Sequence, residues 1–182
     1  MKNIVLMLVL IVNNSYVCSM EVAQSSIILG TTKINANQGY CYQAERKVDF
    51  IVIEKNYQQF LKSKAIEVVE PRGLKYDEGE VQQQAAFSDL SLYYDNVLAL
   101  GLKQELDKKD TGKSIAFDIL AVKMGFPEPL AIAVAIERIY AFIEKHPYAY
   151  SCIELFLATT GQLKFCNDLL YDIVSKPVKK SI

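Results

Sequence analysis

Histidine is nearly absent from the 182-residue chain, which carries His146 alone, so zinc or iron sites built from several histidines are excluded. A nucleophile and base pair would have to draw on that same His146, with Ser151 or Cys152 as partner, and no third residue marks itself as the orienting group. A histidine at a helix end beside proline more simply meets the last carbonyls of the helix. The chain also contains no GxSxG, no CxxC and no glycine-rich dinucleotide loop. An excess of either charge is missing too: 20 Lys and Arg face 21 Asp and Glu, a formal net charge of −1. Without a concentrated basic patch, neither nucleic acid nor anionic lipid is indicated as a partner.

Two fragments look like catalytic motifs and fail on their surroundings. Gly112-Lys113-Ser114 matches the end of a phosphate-binding P-loop, but Asp107 stands where the motif needs glycine, and a charged turn precedes it where a strand should. Ser114 reads instead as the cap of a following helix. Asp110-Thr111-Gly112 matches an aspartic-protease triplet, yet two lysines precede it and one follows, and such an aspartate needs apolar flanks to share its proton. Glu137, Glu144 and Glu154 could meet in space, although carboxylates at helical spacing usually form a wet face. No catalytic, metal-binding or cofactor-binding residue is therefore assigned, no cofactor is expected, and the chain is expected not to be an enzyme.

The amino terminus places Lys2 before nine apolar residues, Ile4 to Val12, which Asn13-Asn14-Ser15 then break. That build predicts a signal peptide over residues 1–19, since a spanning helix needs about 20 apolar residues. Export follows as an expectation, with a periplasmic or secreted destination and no stable membrane insertion after cleavage. Cleavage would remove Lys2 and no acid, leaving 19 basic against 21 acidic residues in a single domain spanning 20–182.

Residues 20–39 form an irregular opening segment with room for one short strand. Over 40–62, helical spacing of Ala44, Val48 and Ile51 competes with the β-branched run Phe50-Ile51-Val52-Ile53; the absence of Gly and Pro tips the reading to helix. Leu90, Tyr94, Val97 and Leu98, Leu102, Leu106 give helical stripes through 89–106. Ala116, Ile119, Leu120 and Val122 suggest a short helix closed by Gly125 and Pro127. Pro129 opens a helix carrying Ile132, Ile136, Ile139 and Ile143, which stops at His146-Pro147. Residues 148–157 and 163–174 read as a final helical pair. The fold class expected is all-α, a bundle of about five helices, with an α+β alternative holding a small amino-terminal sheet around residues 27–69.

Cysteines stand at 18, 41, 152 and 166. Cys152 and Cys166 each lie seven residues from Thr159, so two antiparallel helices joined there would set the thiols opposite each other as a disulfide. The alternative is that both are small buried hydrophobes, with Cys41 left as the odd thiol. Of the eleven tyrosines, Tyr93, Tyr94, Tyr140, Tyr148 and Tyr150 cluster in the part read as helical and are candidate interface residues, because tyrosine brings large contact area at small entropic cost.

Phe126-Pro127-Glu128-Pro129, the helix ending Phe142-Ile143-Glu144-Lys145-His146-Pro147, and the tail Phe165-Cys166-Asn167-Asp168-Leu169-Leu170 resemble the periplasmic immunity proteins of bacterial type VI secretion, the Tai and Rap group. The resemblance spans about residues 115–175. It implies a small exported binding protein, with a protein partner and with a homodimer as a further option, that occupies the cleft of a cell-wall-degrading toxin without doing chemistry. Rival readings are a secreted virulence or envelope interaction module, which an exposed tyrosine-rich patch would favour, and an exported enzyme with a carboxylate pair or a Cys152-centred site.

Overall fold

A computed structural model describes residues 24–44, 48–53, 65–68, 71–77, 79–102, 112–119 and 124–175. The expected signal peptide at 1–19, the thiol of Cys18 and the Asp110-Thr111 pair lie outside these residues. Strands β1 (Gln24–Leu29), β2 (Thr32–Gln38), β3 (Phe50–Ile53), β4 (Ala65–Glu67), β5 (Lys113–Asp118) and β6 (Tyr150–Leu157) form one sheet in the order β1-β2-β6-β5-β3-β4. β1 runs antiparallel to β2, and the other five strands are mutually parallel. Helices α1 (Glu80–Ala99), α2 (Glu128–Lys145) and α3 (Thr160–Ser175) complete an α/β fold.

That architecture overturns the helical bundle. Residues expected as helix at 116–122 and 148–157 supply β5 and β6, the centre of the sheet; Phe50–Ile53 is a strand; and the irregular opening segment is a hairpin. The α+β alternative fails as well, because β5 and β6 come from the second half of the chain and sit between β2 and β3. The physical reason is common to β3, β5 and β6. A parallel strand buried on both faces carries continuous apolar sequence, as in Ile115-Ala116-Phe117 and Leu155-Phe156-Leu157, and so loses the alternation that would announce it. Ser114 caps no helix: it lies on β5, where its Oγ donates to Asp49 Oδ2 at 2.7 Å.

Local chemistry explains the hairpin. Its two-residue turn, Gly30-Thr31, begins with Gly30 at φ 61°, the position glycine occupies in a type II′ turn. Along β2 the side chains alternate, Ile34 and Ala36 to one face and Asn35 and Asn37 to the other. The first face packs against all three helices, burying Ile34, Ile115, Phe117, Ile153 and Leu155 with Leu90, Ile136 and Leu163. The second carries a smaller cluster, Ile51, Ala116 and Phe156 under Cys41, Ala44 and Val48. Tyr150 ties β6 to the end of α1: its hydroxyl donates to Leu98 O at 2.9 Å and accepts from Gly101 N at 2.7 Å. A Cβ on Gly101 would lie 2.6 Å from that ring, so the approach requires glycine. No helix among the described residues is long and apolar enough to cross a membrane.

Candidate functional site

The carboxyl ends of β2 and β6 lie side by side, Gln38 in register with Leu157, and their connections leave in opposite directions. After β2 the chain passes Gly39, whose φ of 129° only glycine adopts readily, into a 3-10 turn, Cys41–Ala44, on the second face. After β6 it passes Ala158 and Thr159 into α3, on the first face. Adjacent parallel strands whose loops diverge in this way open a crevice, the usual binding position in open α/β sheets.

Both walls are fixed by hydrogen bonds. Cys41 N donates to Asp118 Oδ1 at 2.8 Å, tying the 3-10 turn to the end of β5, and the Cys41 thiol donates to Val52 O at 3.3 Å. Burial, and then the Asp118 carboxylate beside it, push that thiol far above its ordinary range, which disqualifies it as a nucleophile. On the other wall Thr159 and Gln162 form a capping box. Thr159 Oγ1 accepts from Gln162 N at 3.2 Å, while Gln162 Oε1 accepts from Ala158 N at 2.8 Å and Thr159 N at 3.3 Å. The box leaves the amides of Thr160 and Gly161 as the outward donors of the helix end. Two bonds cross the crevice, Gly39 N to Leu157 O at 2.9 Å and Thr160 Oγ1 to Gln38 Oε1 at 3.1 Å.

Gly161 has no structural reason to be glycine. Its φ is not positive, and a Cβ there would meet nothing nearer than Thr159 Oγ1 at 3.8 Å. What the missing side chain provides is bare backbone at the positive end of a 16-residue helix that has no acidic residue in its first turn.

Below the crevice, on the second face, Glu154 accepts from Asn35 Nδ2 at 2.6 Å and Asn37 Nδ2 at 2.7 Å. Both asparagines are buried, and Asn35 Oδ1 has no partner. Cys152 donates to Glu154 Oε1 at 3.4 Å; burial first, then the Glu154 charge, push its thiol up to about 12. Among the described residues no group of three or more His, Cys, Asp or Glu could hold a metal ion.

The residues singled out from sequence fall elsewhere. Cys152 and Cys166 are free thiols on opposite faces of the sheet, Cys152 beside Glu154 and Cys166 in the core under α3, because residues 148–157 form a strand and not the first arm of a helical pair. Tyr93, Tyr94 and Tyr150 are buried and offer no surface; Tyr140 is half-buried and donates to Glu144 Oε1 at 2.6 Å; Tyr148 is 73% exposed. His146 ends α2 with its ring against Phe142. Glu137 and Glu144 are exposed on α2, apart from Glu154 on the sheet. Sequence reasoning missed Gln38, Gly39 and Thr159 to Gln162. The discoverable signal was Thr159-x-x-Gln162, a capping box directly after the apolar run that proves to be β6.

No family model matches the chain, and no curated protein is similar to it in sequence. Solved structures do match. The macrodomain of Oceanobacillus iheyensis with ADP is 15% identical at a TM-score of 0.64, covering 86% of this chain and 100% of its own. A variant of the same protein with ADPR gives 15% and 0.62, over 85% and 100%. The Trypanosoma brucei macrodomain in complex with ADP gives 15% and 0.58, over 75% and 68%. This likeness removes the resemblance to type VI immunity proteins, and with it the toxin-blocking role and the helical, disulfide-bonded description. The expectation of a non-enzyme loses its basis too, since it rested on missing motifs and on the immunity-protein resemblance, and the likeness to macrodomains removes the latter. The fold of this chain is the macrodomain fold.

Proposed function

We propose that the crevice between β2 and β6 binds ADP or ADP-ribose, with the diphosphate on the amino terminus of α3. Gly161 carries the reading: a glycine required neither by backbone conformation nor by packing, at a helix end whose two outward amides are Thr160 N and Gly161 N. Hydrogen bonds from neutral amides to an anion are charge-assisted, and the helix dipole adds to them. Asp118 and the 3-10 turn close the opposite wall, where the rest of the nucleotide would lie. The macrodomains of like fold were solved with ADP and with ADPR, which supports this ligand class over other phosphates.

Titration calorimetry with ADP and with ADP-ribose tests the reading. Gly161→Val sets a branched side chain over the phosphate position, and its Cβ meets nothing nearer than Thr159 Oγ1 at 3.8 Å. Loss of two charge-assisted bonds at about 1.5–3 kcal/mol each weakens binding by at least about a hundredfold, while the Tm stays level. Equal affinity in the variant, or no binding by the wild type at millimolar ADP, refutes the proposal.

A further inference from the structure

The two edges of the sheet are built differently. β4 is three residues long and ends in Glu67, the short, charged form in which an edge strand discourages a further strand. β1, at the opposite edge, runs for six residues, Gln24-Ser25-Ser26-Ile27-Ile28-Leu29, with no charge, no proline and no break in its register against β2. Leu29 and Thr32 flank the two-residue turn and bond to each other, so alternation leaves the N–H and C=O of Ile28, Ser26 and Gln24 pointing away from β2. Among the described residues, no backbone or side chain bonds to that outer row.

An apolar flank accompanies the row. α3 folds back over the sheet from the end of β6, and so runs in the same direction as β1. Asn167 fixes it there by accepting from Ser25 Oγ. Four residues further along the helix, a rise of about 6 Å that matches two strand residues, Tyr171 comes level with Ile27 on the same side of α3. Tyr171 is 56% exposed, and Ile27 and Ile28 are half-buried.

We infer that β1 is a dimerisation edge, which pairs antiparallel with β1 of a second copy of this chain and joins two six-stranded sheets into one. A two-fold axis normal to the sheet sets the same edge against itself in the antiparallel sense, as β1 already lies against β2. Centred on Ser26, the pairing sets Ser26 against its own copy and Gln24 against Ile28, so that all three outward residues bond across the axis. A strand without charge meets no like charge in its copy, and the axis keeps both α3 helices on one face, where the two Tyr171 side chains flank the junction. The contact is narrow, so the dimer is weak and fills as concentration rises. The inference stands apart from the nucleotide reading, since the crevice lies between β2 and β6 and β1 lies beyond it.

Sedimentation equilibrium of the full chain over a concentration series tests it: the average mass climbs from 20.5 kDa towards twice that value. Hydrogen exchange reads the edge itself, with the Ser26 and Ile28 amides unprotected in dilute protein and protected as the dimer fills. Ser26→Pro removes one outward N–H from each copy and leaves the ladder to β2 intact. The two lost bonds weaken association by roughly fivefold to a hundredfold. Tyr171→Glu, at an exposed position, sets two like charges at the junction and weakens association at an unchanged Tm. Leu92→Glu, equally exposed at 56% but on α1, associates as the wild type does. A mass that stays at 20.5 kDa throughout overturns the inference, as does a dimer indifferent to both Ser26→Pro and Tyr171→Glu, or one that Leu92→Glu weakens as much. Amides already protected in the monomer overturn it too, because the chain's own residues would then cover the edge.

Discussion

Tyr150→Phe distinguishes a tyrosine that builds the core from one that waits for a partner. The Tyr150 hydroxyl is buried, donating to Leu98 O at 2.9 Å and accepting from Gly101 N at 2.7 Å. Phenylalanine keeps the ring, so packing against Phe142, at a centroid distance of 5.9 Å, survives and no large cavity forms. The loss falls on polar groups. Gly101 N is left with only its 3.4 Å contact to Leu98 O, and Leu98 O loses its donor from β6. A buried group left without its partner costs about 1–3 kcal/mol, so the two together cost roughly 2–3 kcal/mol.

For a chain of this size, that loss corresponds to a Tm lower by about 5–10 °C. Urea unfolding reads it directly, as a lower midpoint with an unchanged m-value. Tyr148→Phe is the control: Tyr148 is 73% exposed, and its substitution stays within about 0.5 kcal/mol of the wild type. A cost below about 0.5 kcal/mol for Tyr150→Phe would refute the pinning of α1 to β6 and return Tyr150 to the list of surface candidates.

Two further outcomes follow from groups on either side of the sheet. Cys166, whose thiol burial pushes from its ordinary 9.0 up to about 12, gives stability that is complete below pH 9 and lost as pH rises towards 12, because the unfolded thiol ionises first. Unfolding free energy measured between pH 8 and 10 should fall by about 1.4 kcal/mol per unit for this thiol above pH 9, and Cys166→Ala should remove that share of the slope. Glu154→Ala removes the short acceptors of two buried amides and leaves them only longer contacts, Asn35 Nδ2 to Cys152 Sγ at 3.5 Å and Asn37 Nδ2 to Leu155 O at 3.3 Å, at about 1–3 kcal/mol in denaturant unfolding, whereas Glu154→Gln keeps one acceptor oxygen and costs less. Equal stability of Glu154→Ala and the wild type would show that those amides find other partners.

How far the fold was legible depends on where each element sits. The helices at α2 and α3 lie on one face of the sheet and show an apolar stripe, Ile132, Ile136, Ile139 and Ile143 in α2 and Leu163, Cys166 and Leu170 in α3, so spacing found them. β5 and β6 are buried on both faces, and their apolar runs carry no period that separates strand from helix. With β6 taken as a helix, the spacing of Cys152 and Cys166 about Thr159 suggests a disulfide. A strand alternates its side chains across the sheet, and the same spacing sends Cys152 and Cys166 to opposite faces.

β2 was hidden for the opposite reason. Asn35-Ala36-Asn37-Gln38-Gly39 reads as a loop because asparagine and glycine are depleted in strands. In the sheet, each asparagine amide meets the carboxylate of Glu154 on the neighbouring strand, and that tertiary contact overrides local propensity. No local window contains the bond, since Asn35 and Glu154 lie 119 residues apart in sequence. The same contact explains why the candidate site was invisible. Gln38 and Gly39 gain meaning only when β2 lies beside β6, with Thr160 bonding to Gln38 across the gap and Gly161 next to it. The Glu154 clamp holds those two strands together one turn of the pleat below the crevice, so the polar residues that disguised β2 as a loop are the ones that set the spacing of the two walls.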